Sequence, residues 1–426
     1  MQRTKYQRSN DYELVSLNLI LDSGDIISLM DVYNEFSIFQ DIFGTPMSCE
    51  LMVSDGLDLF NTLPIKNNER LDLEFYTPGC RTVSMKMNLY SREDVILKES
   101  GSTTYYKFKF VSPEVLSNAK IKTSRSYTGT LSDIAGAIWS QNFPESSPLN
   151  TAQSESEYTL VLPFASPFSH LNFLSKKAKT SNNQCNFMFF EDFTGFSFVS
   201  LSDLFVQELR PDSYYSFELD TGDQTTGNDL FSSRFRIQDL TFVGKENVLD
   251  EISNGVYSGF VTQYDAKTKS INTVKHSYED TFNKVVNLNE YELNSKTEVS
   301  SLSSPTFSNY HLYSGIFPSD GIITRMSQLN SLLNRRIKFL VSGNSSLNVG
   351  DKVKMNFNKQ KFSSNVGVNN TDKYRSGMYI VTSVKHTISK FDGYTMVIEA
   401  CTDSSAIQIP DQSRFESKQQ QQGELL

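Results

Sequence analysis

Between residues 336 and 402 apolar and polar side chains change places at almost every step. Ile337, Phe339 and Val341 fall on one side of a two-residue period and Lys338 and Leu340 on the other, while Val353, Met355 and Phe357 oppose Lys352, Lys354 and Asn356. Successive side chains of an extended chain point to opposite faces, so this alternation predicts half-buried antiparallel strands. Gly343-Asn344, Gly350-Asp351 and Asp392-Gly393 separate the runs. Glycine accepts a positive φ at little cost, so the strands are expected to fold back as hairpins and close into a small β-barrel.

A similar pattern opens the chain. Strands are predicted over residues 14–21, 26–30, 32–43, 47–53 and 71–76, then around 83–89 and 106–110, with a short helix at 57–63 plugging one end. Next come two helix signals. Thr130 or Ser132 can cap a helix that puts Leu131, Ile134 and Ile138 on one face, and Ser166 with Pro167 starts another carrying Phe168, Leu171, Leu174 and Ala178. A Phe-rich hairpin over 186–200 turns at 191–195, and its Phe and Met residues are read as core. Strands resume at 214, with 235–243 and 256–264 the clearest, separated by a short helical stretch at 245–252. From 271 the β-period fades into a Ser/Asn-rich segment, which ends in a helix with Ile322, Met326, Leu329 and Leu333 in one stripe.

The expected fold class is mainly β with α+β parts: two similar antiparallel β-barrels, an α/β domain and an insertion. Residues 1–11 form a flexible basic arm, 12–115 the first tube-like barrel and 116–212 the α/β domain. The second barrel is assembled from 213–270 and 335–402 around an insertion with a helix at 271–334. Residues 403–426 make a Gln-rich disordered tail.

Composition narrows the function. At 426 residues the chain exceeds one ordinary core. Its 31 Phe and 20 Tyr against a single Trp supply the bulky side chains that sheets favour. The net charge of −9 opposes nucleic-acid binding, which depends on Lys and Arg, although an acidic wall lets DNA pass without sticking. Cys49, Cys80, Cys185 and Cys401 are far apart and read as buried reduced thiols. The polar N-terminus resembles no signal peptide, and no run reaches the ~18–20 apolar residues of a membrane span, so folding in a cytoplasm without a membrane anchor is expected.

Candidate chemistry is sparse. Glu191-Asp192 offers two carboxylates, yet neighbours on a strand face opposite ways and Thr194-Gly195 marks a turn. His170, His276, His311 and His386 are scattered and read as packed or surface histidines. Residues 220–224 (Asp-Thr-Gly-Asp-Gln) lack the remaining ligands of a calcium loop. No nucleophile elbow, Walker loop, dinucleotide fingerprint or zinc-protease motif occurs. No cofactor or enzymatic activity is expected. The alternative is a carbohydrate-active hydrolase using Glu191, or a carbohydrate-binding β-protein.

Three ordered stretches resemble the central hub protein of contractile-tailed bacteriophage baseplates. They are S-I-F-Q-D-I-F-G-T-P-M-S-C-E-L-M-V-S-D-G at 37–56; P-F-S-H-L-N-F-L-S-K-K-A at 167–178 with F-F-E-D-F-T-G-F-S-F-V-S at 189–200; and N-G-V-Y-S-G-F-V-T-Q-Y-D at 254–265 with the Val349-Gly350-Asp351 and 376–386 segments. Type VI secretion spike proteins are built on similar barrels. The resemblance implies a homotrimer whose six barrels form a ring between the hexameric tail tube protein and the trimeric central spike protein, with a channel for DNA. Tape-measure and baseplate wedge proteins would be further partners, and the location would be the virion tail baseplate, assembled in the host cytoplasm. Interface positions expected of such a ring are Arg3, Lys5, Arg8, Phe39, Ile42, Phe43, Asp351 and His386. The Ser/Asn-rich insertion and the Gln-rich tail depart from the pattern.

Overall fold

A computed structural model describes residues 9–44, 46–56, 65–66, 68–97, 104–182, 184–217, 234–243, 247–266, 268–294, 296–303, 309–313, 317, 320–358 and 371–409. The expected plug helix at 57–63, the 220–224 loop and the arm residues Arg3, Lys5 and Arg8 lie outside them.

The first seven strands are β1 (Glu13–Ile20), β2 (Ile26–Ser28), β3 (Tyr33–Asp41), β4 (Ser48–Asp55), β5 (Arg70–Tyr76), β6 (Thr82–Leu97) and β7 (Thr104–Val111). They pair antiparallel in the order β2-β1-β5-β6-β7-β4-β3. Alternation decides which side is dry: Leu51 and Val53 of β4, Leu71, Leu73 and Phe75 of β5, and Phe108 and Phe110 of β7 are fully buried. The hydroxyl of Tyr12, just before β1, meets that of Tyr33 in β3 at 2.8 Å.

Next come α1 (Pro113–Lys120), β8 (Ser126–Thr130), α2 (Leu131–Asn142), β9 (Asn150–Thr151), β10 (Glu157–Val161), α3 (Pro167–Ser175), β11 (Phe187–Asp192), β12 (Gly195–Ser200) and α4 (Leu201–Val206). Thr130 is the cap of α2, its side chain accepting from the Asp133 amide at 3.2 Å. Ser166 precedes α3, but its hydroxyl turns to Ser169 at 2.9 Å, and Pro167 supplies the helix start. The β11–β12 hairpin is a wall with two apolar faces. Phe187, Phe189, Phe196 and Phe198 pack with Trp139, Leu171 and Leu174, while Met188, Phe190 and Val199 join the large core of the β-strands.

The remaining elements are β13 (Tyr214–Phe217), β14 (Asp239–Phe242), α5 (Val248–Ser253), β15 (Ser258–Asp265), β16 (Ser270–Ser277), α6 (Tyr278–Phe282), α7 (Lys296–Leu302), β17 (Asn309–Tyr313), α8 (Asp320–Asn334), β18 (Arg335–Ser342), β19 (Lys352–Phe357), β20 (Gly377–Ser389) and β21 (Gly393–Thr402). Pairing runs β13-β19-β20-β21-β18-β14. A bridge between Ser216 and Arg236, with the Ile237 amide donating to the Ser216 carbonyl at 2.8 Å, brings the lead-in to β14 back to β13. The pairings of these six strands therefore form a circuit. Inside it lie Ile337, Phe339, Val341, Val353, Met355 and Phe357, as the alternation predicts.

Three expectations change. β18 and β19 are not a hairpin: β18 pairs with β14 and β21, and β19 with β13 and β20, because the intervening loop is tied to the N-terminal row instead. The strand expected at 256–264 joins β16 and β17 in a separate three-stranded sheet, so β-structure continues past residue 271. Alternation fixes which face of a strand is dry but not which strand it meets. In α8 the predicted stripe of Ile322, Met326, Leu329 and Leu333 is only half-buried, whereas Ile323, Ser327, Ser331 and Leu332 are buried. Ser327 escapes the cost of burial by donating to the Val256 carbonyl at 2.6 Å.

Candidate functional site

The N-terminal row and the C-terminal circuit meet along one seam, where β20 pairs with β3 and makes a single 13-stranded sheet. β20 is long enough for two partners. Its first residues, from Gly377 to Ile380, pair with β19; the register shifts between Val381 and Ser383; from Ser383 to Ser389 it pairs with β3. Of the expected interface residues, five come together here. Phe39 lies opposite Lys385, whose ammonium sits 5.6 Å from the ring centre, and Ile38 lies opposite His386. Ile42 donates its amide to the Thr382 carbonyl at 2.9 Å, and the Asp351 carbonyl accepts from Val381 at 3.0 Å. Ile42 and His386 are buried within the chain, whereas Phe43 is 43% exposed.

A buried polar lattice stitches the seam. Ser345 and Thr77 exchange two amide-to-hydroxyl bonds of 3.1 Å each, and the Ser345 hydroxyl donates to the Arg81 carbonyl at 2.6 Å. Gln40 accepts from the Val349 amide at 3.2 Å. Arg210 reaches Asp351 at 2.8 Å, yet burial outweighs that attraction and pushes the Asp351 carboxyl up to about 6. Gly350 has φ +81, a left-handed value, and Gly393 has φ +79.

Into this seam comes the tip of the β11–β12 hairpin. Phe193 stands 6.2 Å from Phe75 of the row and 4.8 Å from His386 of the circuit, ring centre to ring centre. Asp192 closes the turn, its Oδ1 accepting from the Thr194 amide at 2.5 Å. Glu191 points to the core: Oε2 accepts from the Met47 amide at 2.9 Å and Oε1 from the Ser112 hydroxyl. The sequence reading of a turn holds for Asp192, and the two carboxyls do different work.

Burial raises the Glu191 carboxyl from the ordinary 4.5 to about 8, although its bonds to Ser112 and Met47 pull the other way. The folded protein therefore holds a proton that the unfolded chain releases above pH 4.5, so stability from this group falls as pH rises from 4.5 to about 8. The slope is about 1.4 kcal/mol per pH unit. Glu191→Gln presents one oxygen to Met47 and an N–H to Ser112 Oγ. The variant is expected to match the wild type at pH 4.5 and to exceed it at pH 8.5 in chemical denaturation. A variant less stable at pH 8.5 would mean that an ionised carboxylate holds the seam.

His386, His276 and His170 are packed within the fold. His386 is wholly buried, bonds Tyr394 Oη through Nδ1 at 2.7 Å, and burial depresses it to about 3. His276 is depressed to about 4, also chiefly by burial. His170 bonds the Pro163 carbonyl at 2.8 Å, and the His311 side chain lies outside the described residues. All four cysteines are buried and unbridged. Among the described residues no three His, Cys, Asp or Glu side chains gather as metal ligands would.

Sequence reasoning missed Arg325 of α8. Its guanidinium is half-buried and donates to the carbonyls of Ser175, Cys185 and Phe187 at 3.2, 3.0 and 2.9 Å, fastening the insertion helix to α3 and β11. The one available signal was an Arg beside the apolar stripe of a helix.

No family model matches the chain. It is 23% identical over 397 residues to the probable baseplate hub protein gp334 of Vibrio phage KVP40, an alignment covering 89% of this chain and 91% of that protein. Its fold is similar to that of a tail protein from Neisseria meningitidis MC58, with a TM-score of 0.55, 9% identity, and 92% and 97% of the two chains covered. The 43 kDa tail protein of prophage MuSo2 from Shewanella oneidensis superposes with a TM-score of 0.54 at 9% identity, covering 91% and 98%. The resemblance read from the ordered sequence stretches holds along almost the whole chain: this protein is similar to a phage baseplate hub protein and has the mainly β fold seen in phage tail proteins.

Proposed function

We propose that this protein is the structural hub of a phage tail baseplate, acting as a homotrimer without catalysis. The end-to-end similarity to a probable baseplate hub protein carries the reading. The fold supports it: each chain holds two strand systems fused through β3 and β20, so three chains offer six comparable units. Such a ring has three-fold symmetry toward a central spike protein and near six-fold symmetry toward a hexameric tail tube protein, which removes the mismatch between them. In this reading the row at 12–115 and the circuit of β13, β14 and β18–β21 are the two barrels, and Phe43 is the seam residue that faces a neighbour. Three chains at −9 carry −27, a wall past which DNA slides without specific binding. Tape-measure and baseplate wedge proteins are further neighbours in the virion tail. The test is co-sedimentation with assembled tail tube protein of the same phage. Saturable binding at one trimer per tube end is expected, and its absence together with a monomeric state in solution contradicts the hub.

The hydrolase alternative gains nothing from the site. Glu191 is 5% exposed with both oxygens engaged, so a glycosidic oxygen could reach it only after the seam unpacked.

A further inference from the structure

Five cations converge on one rim of the C-terminal circuit. Arg335 and Arg336 open β18, Lys354 lies in β19, and Lys373 and Arg375 belong to the 371–377 loop that leads into β20. The pairings place these elements at the same end: Phe242, the last residue of β14, lies opposite Ile337, Arg335 opposite Thr402, and Met355 opposite Gly377. Two clefts flank the loop. One, of about 500 Å³, lies between the three arginines, Phe242 and Tyr374; the other, of about 570 Å³, is bordered by Lys354, Lys373 and Tyr214. The rings are presented to solvent, with Tyr214 48%, Phe242 44% and Tyr374 44% exposed. Arg375 lies over the Phe242 ring at 4.6 Å. Arg336 Nε is buried at the cleft with no hydrogen-bond partner among the described residues. Arg335 is engaged within the chain, donating to the Tyr374 and Leu293 carbonyls at 3.4 and 3.2 Å, while Arg336 to Glu399 at 3.4 Å and Arg375 to Asp372 at 3.8 Å are long ion pairs against about 2.7–2.9 Å for a strong charge-assisted bond.

We propose that this rim docks an acidic segment of a partner protein, a short run of Asp or Glu carrying one aromatic or apolar residue. Charge complementarity selects the class, because the cations stand together in a chain whose net charge is −9. The same net charge disfavours nucleic acid: phosphates of a long strand beyond the clefts would meet a repelling field, whereas a few carboxylates end where the cations end. Guanidinium forks bind carboxylates through two donors, and the exposed rings take the apolar side chain. The surface belongs to the single chain, so failure of this inference leaves the hub reading standing.

Fluorescence anisotropy with a labelled Glu-rich decapeptide containing one Phe, its Gln-for-Glu analogue and a short oligothymidylate tests it at low salt. The Glu peptide is expected to bind, the Gln analogue about ten-fold more weakly, and Arg336→Gln with Arg375→Gln to weaken the Glu peptide by about ten-fold. Lys373→Gln, at an exposed side chain, is expected to weaken it several-fold without disturbing packing. Equal affinity for both peptides, binding unaffected by the variants, no binding, or tighter binding of the oligothymidylate overturns the proposal.

Discussion

Gly343→Ala is expected to cost about 4 kcal/mol, enough to leave little folded protein, because overpacking on a rigid wall is among the few single-residue changes of that size. A Cβ at this position would lie 2.1 Å from the Tyr394 ring, where real Cβ contacts do not fall below 3.0 Å. Tyr394 cannot step aside. It is wholly buried, bonded to His386 at 2.7 Å, and its ring centre stands 5.8 Å from that of Phe75. The Gly343 amide also donates to the Tyr394 carbonyl at 2.8 Å, which fixes the approach of the two backbones. Gly136→Ala is the control, since its Cβ meets nothing within 4 Å in α2 and alanine there is expected to stabilise by up to about 1 kcal/mol. Soluble yield and thermal melting of the two variants should move in opposite directions. A Gly343→Ala protein that melts with the wild type would show that the seam is looser than described.

Arg325→Ala is expected to cost about 3 kcal/mol, the loss of charge-assisted bonds that leaves carbonyls of Ser175, Cys185 and Phe187 short of a donor. Burial lowers the guanidinium to about 10, still far above neutral pH, so the clamp is charged under ordinary conditions. Hydrogen exchange resolves the consequence by region. Protection should fall in α8 and in the β15–β16–β17 sheet that packs on it, with β3 and β20 unchanged. Loss spread evenly over the chain would place Arg325 in a general core role instead of a clamp. Arg325→Lys should recover only part of the protection, because all three carbonyls are met by Nη1 at the tip of the side chain and the shorter lysine ends short of it.

These two residues show what the sequence conveys and what it hides. Alternation in β18 and β19 names the buried side chains correctly, since the period of two is set by local geometry. Gly343 was legible as a special position, but for a turn; its structural reason is contact with a ring 51 residues later, which no local pattern encodes. The hairpin expected between β18 and β19 fails for the same cause, as the loop's partners Thr77 and Arg81 are far away in sequence. The serine face of α8 was invisible because hydropathy treats a buried serine bonded to a carbonyl like an exposed one. Of the candidate site, Phe39, Ile42, Phe43, Asp351 and His386 lie along the seam, with Ile42 and His386 buried, Phe39 and Asp351 half-buried and Phe43 exposed.

Assembly is where the account stands or falls, and native mass measurement of the purified full chain across a dilution series tests it most directly. The hub account requires a species at three times the 48.3 kDa chain mass, persisting at low concentration or formed on adding tail tube protein. A single species at 48.3 kDa at every concentration, with and without the tube protein, would contradict it.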